Sequence, residues 1–145
     1  MDRYDSYKDS GVEWIGEIPR NWTISKLKYI GEMISGGTPS TANQDYWGGN
    51  IAWLQSGKVQ FKHIYPNDVE KYITEKGFQE SSTKMVFKNS PLIAITGATC
   101  SNIGFLTFDA TINQSIIGAS VNKSNNPYYI YYYLLSQQKQ ILYHQ

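Results

Sequence analysis

The chain has 145 residues, 13 basic against 12 acidic side chains, a formal charge of +1, 41% hydrophobic residues and a single cysteine. At about 150 residues per domain this is one domain able to bury a core, and near-neutrality excludes a histone-like or polybasic mode of binding. Cys100 alone excludes a disulfide scaffold and a cysteine-cluster zinc site. No run approaches the roughly 18 apolar residues of a membrane span, and the first ten residues lack the apolar centre of a signal peptide, so a soluble, cytoplasmic protein with no membrane contact is expected.

Residues 1–20 carry Asp2, Asp5, Asp9, Glu13 and Glu17 against Arg3, Lys8 and Arg20. They show no sustained periodicity and read as an acidic leader, ending at Pro19, that packs Val12, Trp14, Ile15 and Ile18 onto the body. Trp22 and Ile24 alternate with Thr23 and Ser25 as in a half-buried strand. Leu27, Ile30, Met33 and Ile34 recur at helical spacing and predict a short helix. Turn chemistry makes 35–41 a loop and Tyr46-Trp47-Gly48-Gly49 a tight turn feeding a strand over 51–54.

Asn67 or Asp68 can start a short helix, and Thr74 a single further turn. Strands are predicted over 84–87 and 92–96, broken by a turn at Asn89-Ser90-Pro91. A small-residue loop over 97–102 precedes strands at 103–108 and 115–121. Asn126 as N-cap and Pro127 as first helical residue open a C-terminal helix with Ile130, Leu134 and Ile141 on one face. The pattern is α+β: a mixed or antiparallel sheet, a few short helices and a C-terminal helix. Its domains read as a leader over 1–20, a body over 21–126 and the helix over 127–145.

Catalytic signals are weak. Asn125-Asn126-Pro127-Tyr128-Tyr129 is close to the Asn-Pro-Pro-Tyr box of amino-methyltransferases, yet lacks the second proline and any methyl-donor loop; a helix cap explains it. Asp68-Val69-Glu70-Lys71 holds nuclease-like residue types without the upstream acid, and reads as a solvated helix start. The Ser35-Gly36-Gly37-Thr38 turn has no P-loop ending. His63, read as a surface residue, and His144, next to the C-terminus, make neither a metal site nor a triad, and Cys100 lacks a base. No catalytic residue, metal or cofactor is expected.

The segment from Tyr7 to Pro19, Ser35-Gly36-Gly37-Thr38-Pro39-Ser40, and Tyr46-Trp47-Gly48-Gly49-Asn50-Ile51-Ala52-Trp53-Leu54 resemble the specificity subunits of type I restriction-modification systems. Thr74-Glu75-Lys76-Gly77, Ser81-Ser82, the 97–104 loop and Asn113-Gln114 follow in the family's order, so the likeness spans essentially the whole chain. The resemblance implies an N-terminal target recognition domain that reads one half of a split DNA site without performing chemistry. It also implies double-stranded DNA, modification (methyltransferase) subunits and ATP-dependent restriction subunits as partners. The family's spacer helices and second recognition domain do not follow Gln145, so the chain is expected to be half of a two-domain reader, with a second half-subunit as a further partner. A degenerate methyltransferase or nuclease domain, a carbohydrate-binding module and a remnant that only pairs with another half-subunit are the alternatives.

For DNA contact, phosphate candidates are Lys58, Lys62, Lys84 and Lys88, with the backbone N–H groups at Gly36-Gly37 and Gly97. Thr38, in the first of those glycine loops, is a further DNA-contact candidate. Both arginines lie in the leader, so base reading falls to Gln55, Ser56, Gln60, Thr99, Ser101, Asn102 and Gln114. Asn113-Gln114 can equally satisfy backbone groups at a strand start. Trp47, Trp53 and the tyrosines of 128–133 read as packing residues.

Overall fold

A computed structural model describes residues 4–139. The chain divides into two compact units, residues 1–30 and 31–145.

The first unit holds β1 (Tyr7–Asp9) paired antiparallel with β2 (Glu17–Pro19), where no element was expected. Gly11 (φ 75°) and Gly16 (φ 69°) take left-handed backbone that other residues resist, and a turn from Val12 to Ile15 joins them. Ile18 is buried, whereas Trp14, expected to pack, is 52% exposed.

The second unit contains β3 (Gly31–Ser35), β4 (Trp47–Leu54), β5 (His63–Ile64), β6 (Lys71–Ile73), β7 (Met85–Val86), β8 (Ser90–Ala94), β9 (Ile103–Leu106), β10 (Ala110–Ile112) and β11 (Ile116–Val121). The helices are α1 (Glu75–Gln79) and α2 (Pro127–Ser136). Four strands order β6-β4-β10-β7 and five order β3-β11-β8-β9-β5. Most pairs are antiparallel, while β10 with β4 and β5 with β9 run parallel, so the predicted mixed α+β class holds.

Both sheets feed one core. Leu54, Val86, Ala110 and Ile112 of the first sheet meet Leu92, Ala94, Leu106 and Ile116 of the second. The chain forms β8 and β9 from short apolar runs because both are buried throughout. α2 lies against these two strands through Ile130, Tyr131 and Leu134, and Tyr131 meets the Phe105 ring at 5.4 Å. Its Asn126 cap accepts from the N–H groups of Tyr128 and Tyr129 at 2.9 and 3.3 Å, the reading preferred over a methyltransferase box. Ile141 lies outside the described residues.

Several local expectations are corrected. The helical spacing at 27–34 gives only a 3-10 turn at Leu27–Tyr29 and then β3. β11 supplies a five-residue antiparallel partner there, and Gly31 lets the backbone of Ser120 approach where a Cβ would lie 2.1 Å from its carbonyl oxygen. Trp47-Gly48-Gly49 is not a turn but the bulged start of β4, with Gly48 at φ 80°. The turn falls at Lys88-Asn89, with Asn89 at φ 63°, while Ser90 and Pro91 already belong to β8. Pro91 is tolerated because β11 pairs with β8 only from Leu92 onward. His63 is half-buried among Phe105, Tyr128 and Tyr131 rather than a plain surface residue.

Candidate nucleic-acid interface

An open cleft of about 690 Å³ lies on the four-stranded sheet. One wall is the loop following β3, through Thr38 and Thr41. Trp47, Gly48, Gly49 and Trp53 of β4 line it, followed by Gln55. Glu70, Lys71 and Tyr72 come from the edge strand β6 and its approach. Asn113 and Gln114, in the turn between β10 and β11, close the other side.

Two indoles fix the 36–41 loop. The buried Trp53 donates its Nε1–H to the carbonyl of Gly37 at 3.0 Å, and Trp47 donates to the carbonyl of Ser40 at 3.1 Å. The rings meet edge to face at 5.0 Å, a favourable aromatic arrangement. The Gly37 N–H donates to the Ile112 carbonyl at 2.9 Å, tying the loop to β10 as well. Gly37 is required by space: a Cβ there would fall 2.6 Å from the carbonyl carbon of Ser82. Both tryptophans were expected as packing residues, and Trp53 is one; their role as anchors for a polar loop went unread.

Asn113 and Gln114 divide two tasks. Asn113 Oδ1 accepts from the Ser115 N–H at 3.1 Å, the strand-start role foreseen for the pair. Gln114 is exposed, and its Oε1 accepts a hydrogen bond from the Thr38 hydroxyl. Three expected contact residues, Thr38, Gln55 and Gln114, are therefore brought together in the cleft from far-separated positions. Thr41, Gln44, Lys71 and Tyr72 were missed. The signal available for the last two was the exposed Lys71-Tyr72 pair beside buried Ile73.

Further along, Ser56 and Lys58 form a 3-10 turn just after Gln55. Lys58 forms an ion pair with Glu70, a residue of the cleft wall. Gln60, exposed, folds back to donate to the Gly57 carbonyl at 2.8 Å. Lys62 pairs with Asp68 at 2.7 Å. Asp68 also accepts from the Tyr65 N–H at 2.8 Å, and the Lys62 ammonium first, then this N–H, hold its carboxyl below the usual carboxylate range. Asp68 thus holds the start of a 3-10 turn, Pro66–Asp68, where a short helix was expected to begin at Asn67 or Asp68.

Lys84 is exposed beside β7 and does not line the cleft. Lys88 is exposed too, its N–H held by Asp109 at 2.8 Å. Thr99, Ser101 and Asn102 sit in the loop between β8 and β9, on the other sheet, and do not join the cleft either. Ser101 corrects the expectation for that loop. It is fully buried with φ 68°, so the folded loop offers its hydroxyl to no base. Among the described residues no helix is long and apolar enough to cross a membrane.

The fold is shared with two solved chains, each overlapping 93% of this chain with a TM-score of 0.70. One is the HsdS subunit from Thermoanaerobacter tengcongensis, at 14% identity; the other comes from a study of assembly and conformational transition of the type I restriction–modification system, at 15%. In sequence, the specificity subunit of the type I restriction enzyme MjaIX of Methanocaldococcus jannaschii is 32% identical over 119 residues, 81% of this chain. The EcoR124I/EcoR124II specificity subunit of Escherichia coli is 29% identical over 97% of it. The chain spans only 27% and 33% of those relatives' lengths, and 31% of either solved chain. Residues 19–145 match the type I restriction modification DNA specificity domain, and the chain belongs to that family.

Proposed function

We propose that this domain recognises DNA by sequence, as part of the specificity subunit of a type I restriction–modification complex. It carries no chemistry of its own; modification subunits methylate and restriction subunits translocate and cleave, in the cytoplasm where that DNA lies. A second specificity half completes a split site. The observation that carries this reading is the family match over residues 19–145.

The cleft supports it chemically. Carboxamides and hydroxyls converge on an open surface floored by rigid strand, the kind of polar groups that read base edges. In this reading the second unit meets the DNA, with α2 closing it, and the first unit is a lead-in. Base edges fall to Gln55 and Gln114, with Thr38 beside them in the cleft. Lys58, Lys62 and Lys84 meet phosphates, which position the protein without specifying sequence.

The test is selection from a randomised duplex pool by the chain, alone and with modification subunits. One short motif should be enriched, and binding to it should exceed binding to scrambled duplex at the same salt concentration. Equal retention of all duplexes, or methyl transfer or cleavage by the chain alone, would overturn the reading.

A further inference from the structure

Residues 31–145, the unit that builds the cleft, contain no arginine; Arg3 and Arg20 both belong to the first unit. Arginine's planar fork is the commonest reader of guanine, bridging O6 and N7. The cleft instead presents the carboxamides of Gln44, Gln55, Asn113 and Gln114. A carboxamide bridges adenine, its oxygen accepting from the N6 amino group and its nitrogen donating to N7. That requires oxygen and nitrogen to be turned the right way round.

Of these four, Gln114 has its orientation fixed by a neighbour in the cleft. The Thr38 hydroxyl donates to its Oε1, which marks that end of the amide as the acceptor. One lone pair of Oε1 and both Nε2 hydrogens remain for a ligand. Thr38 is itself held, because Trp53 grips the carbonyl of the preceding Gly37 and Trp47 grips that of Ser40. Asn113, by contrast, spends its oxygen on the Ser115 N–H.

We propose that Gln114 reads an adenine in the target through its N6 and N7 edge, and that Thr38 is the positioning residue that orients the amide. This rests on the cleft being the DNA-reading surface. Guanine offers two acceptors where adenine offers a donor and an acceptor, so an amide held this way discriminates between the two purines.

The experiment uses the duplex motif selected above. Each adenine is replaced in turn by 7-deazaadenine, which lacks N7, and by unsubstituted purine, which lacks the N6 amino group. At one adenine both analogues should cost the native chain about tenfold or more in affinity. Gln114→Ala should lose that sensitivity while keeping the penalties at every other position, which also shows that it is folded. Thr38→Val should weaken discrimination at the same adenine, and Thr38→Ser should restore it. Unchanged penalties in Gln114→Ala at every adenine, or a Gln114-dependent position that proves to be guanine, would overturn the assignment while leaving DNA recognition standing. A pool that yields no motif overturns both.

Discussion

Trp53 lies on β4 and Gly37 in a loop sixteen residues earlier, and the indole N–H of the first donates to the carbonyl of the second at 3.0 Å inside the protein. Gly37 is buried, so without that donor its carbonyl has no water to turn to. The contact converts a glycine-rich turn, flexible by composition, into a wall of fixed position.

Trp53→Phe keeps the ring and removes the donor. It should destabilise the fold by roughly 1–3 kcal/mol, the cost of a buried acceptor left unpaired. Trp47→Phe should cost less, since its partner carbonyl belongs to the exposed Ser40. Urea denaturation of both variants measures the order, and an equal or reversed ranking would show that the Gly37 bond is not what holds the loop.

Two glycines make a matched pair for a steric test. An alanine Cβ at Gly37 would press on the Ser82 and Thr83 backbone at 2.6–2.7 Å, whereas at Gly57 nothing lies within 4 Å. Gly37→Ala should lose about 1–3 kcal/mol by overpacking, and Gly57→Ala should be neutral or gain up to about 1 kcal/mol by restricting the unfolded chain. Thermal melts that show equal losses would contradict the crowding at Gly37.

Lys58 is held by Glu70, so it must exchange a carboxylate for a phosphate when DNA arrives. Lys58→Ala should weaken binding to every duplex alike and lower the slope of log affinity against log salt by about 1. Glu70→Gln should do the opposite, tightening binding by freeing the ammonium. As a partly exposed pair it contributes at most about 1 kcal/mol to stability, so both variants should fold. A salt titration in which Lys58→Ala changes the preferred motif instead would make it a base reader.

Asp68 gives the protein an acid limit. Its carboxyl titrates lower when folded than the ordinary value of 3.8, because Lys62 and the Tyr65 N–H favour the charged form. The unfolded chain therefore binds the proton more readily, and the stabilisation is complete above that value and fades as pH falls through and below it. Asp68→Asn should flatten this part of the stability profile below about pH 4. Denaturation midpoints across pH 2–6 decide it; an unaltered profile in the variant would mean the pairs do not persist in solution.

The legible parts of the sequence were those whose physics is local. Asn126-Pro127 announced a helix start, the 35–41 stretch announced a loop, and the runs at 92–96 and 103–108 announced strands, which form at Ser90–Ala94 and Ile103–Leu106. Leu27 to Ile34 misled because four apolar residues fit a helix, while the distant strand β11 claimed Gly31–Ser35 by pairing. β10 went unread because three residues are too few for a period, and its parallel partner β4 is remote. The cleft was half legible. Residue chemistry picked Thr38, Gln55 and Gln114, but only the fold joins residues 38 and 114, and only the fold buries Ser101.

Pairing between distant strands also sets a timetable. Among the described residues β3 has a single hydrogen-bonded neighbour, β11, and the edge of β4 that β6 leaves open is taken by β10. Neither partner exists until residues 110–121 have been made. During synthesis the first half of the body therefore carries unsatisfied strand edges, and closing such long loops is slow. The interval before Val121 emerges is when this protein is most exposed to wrong pairing with its neighbours, and chaperone capture would matter most then.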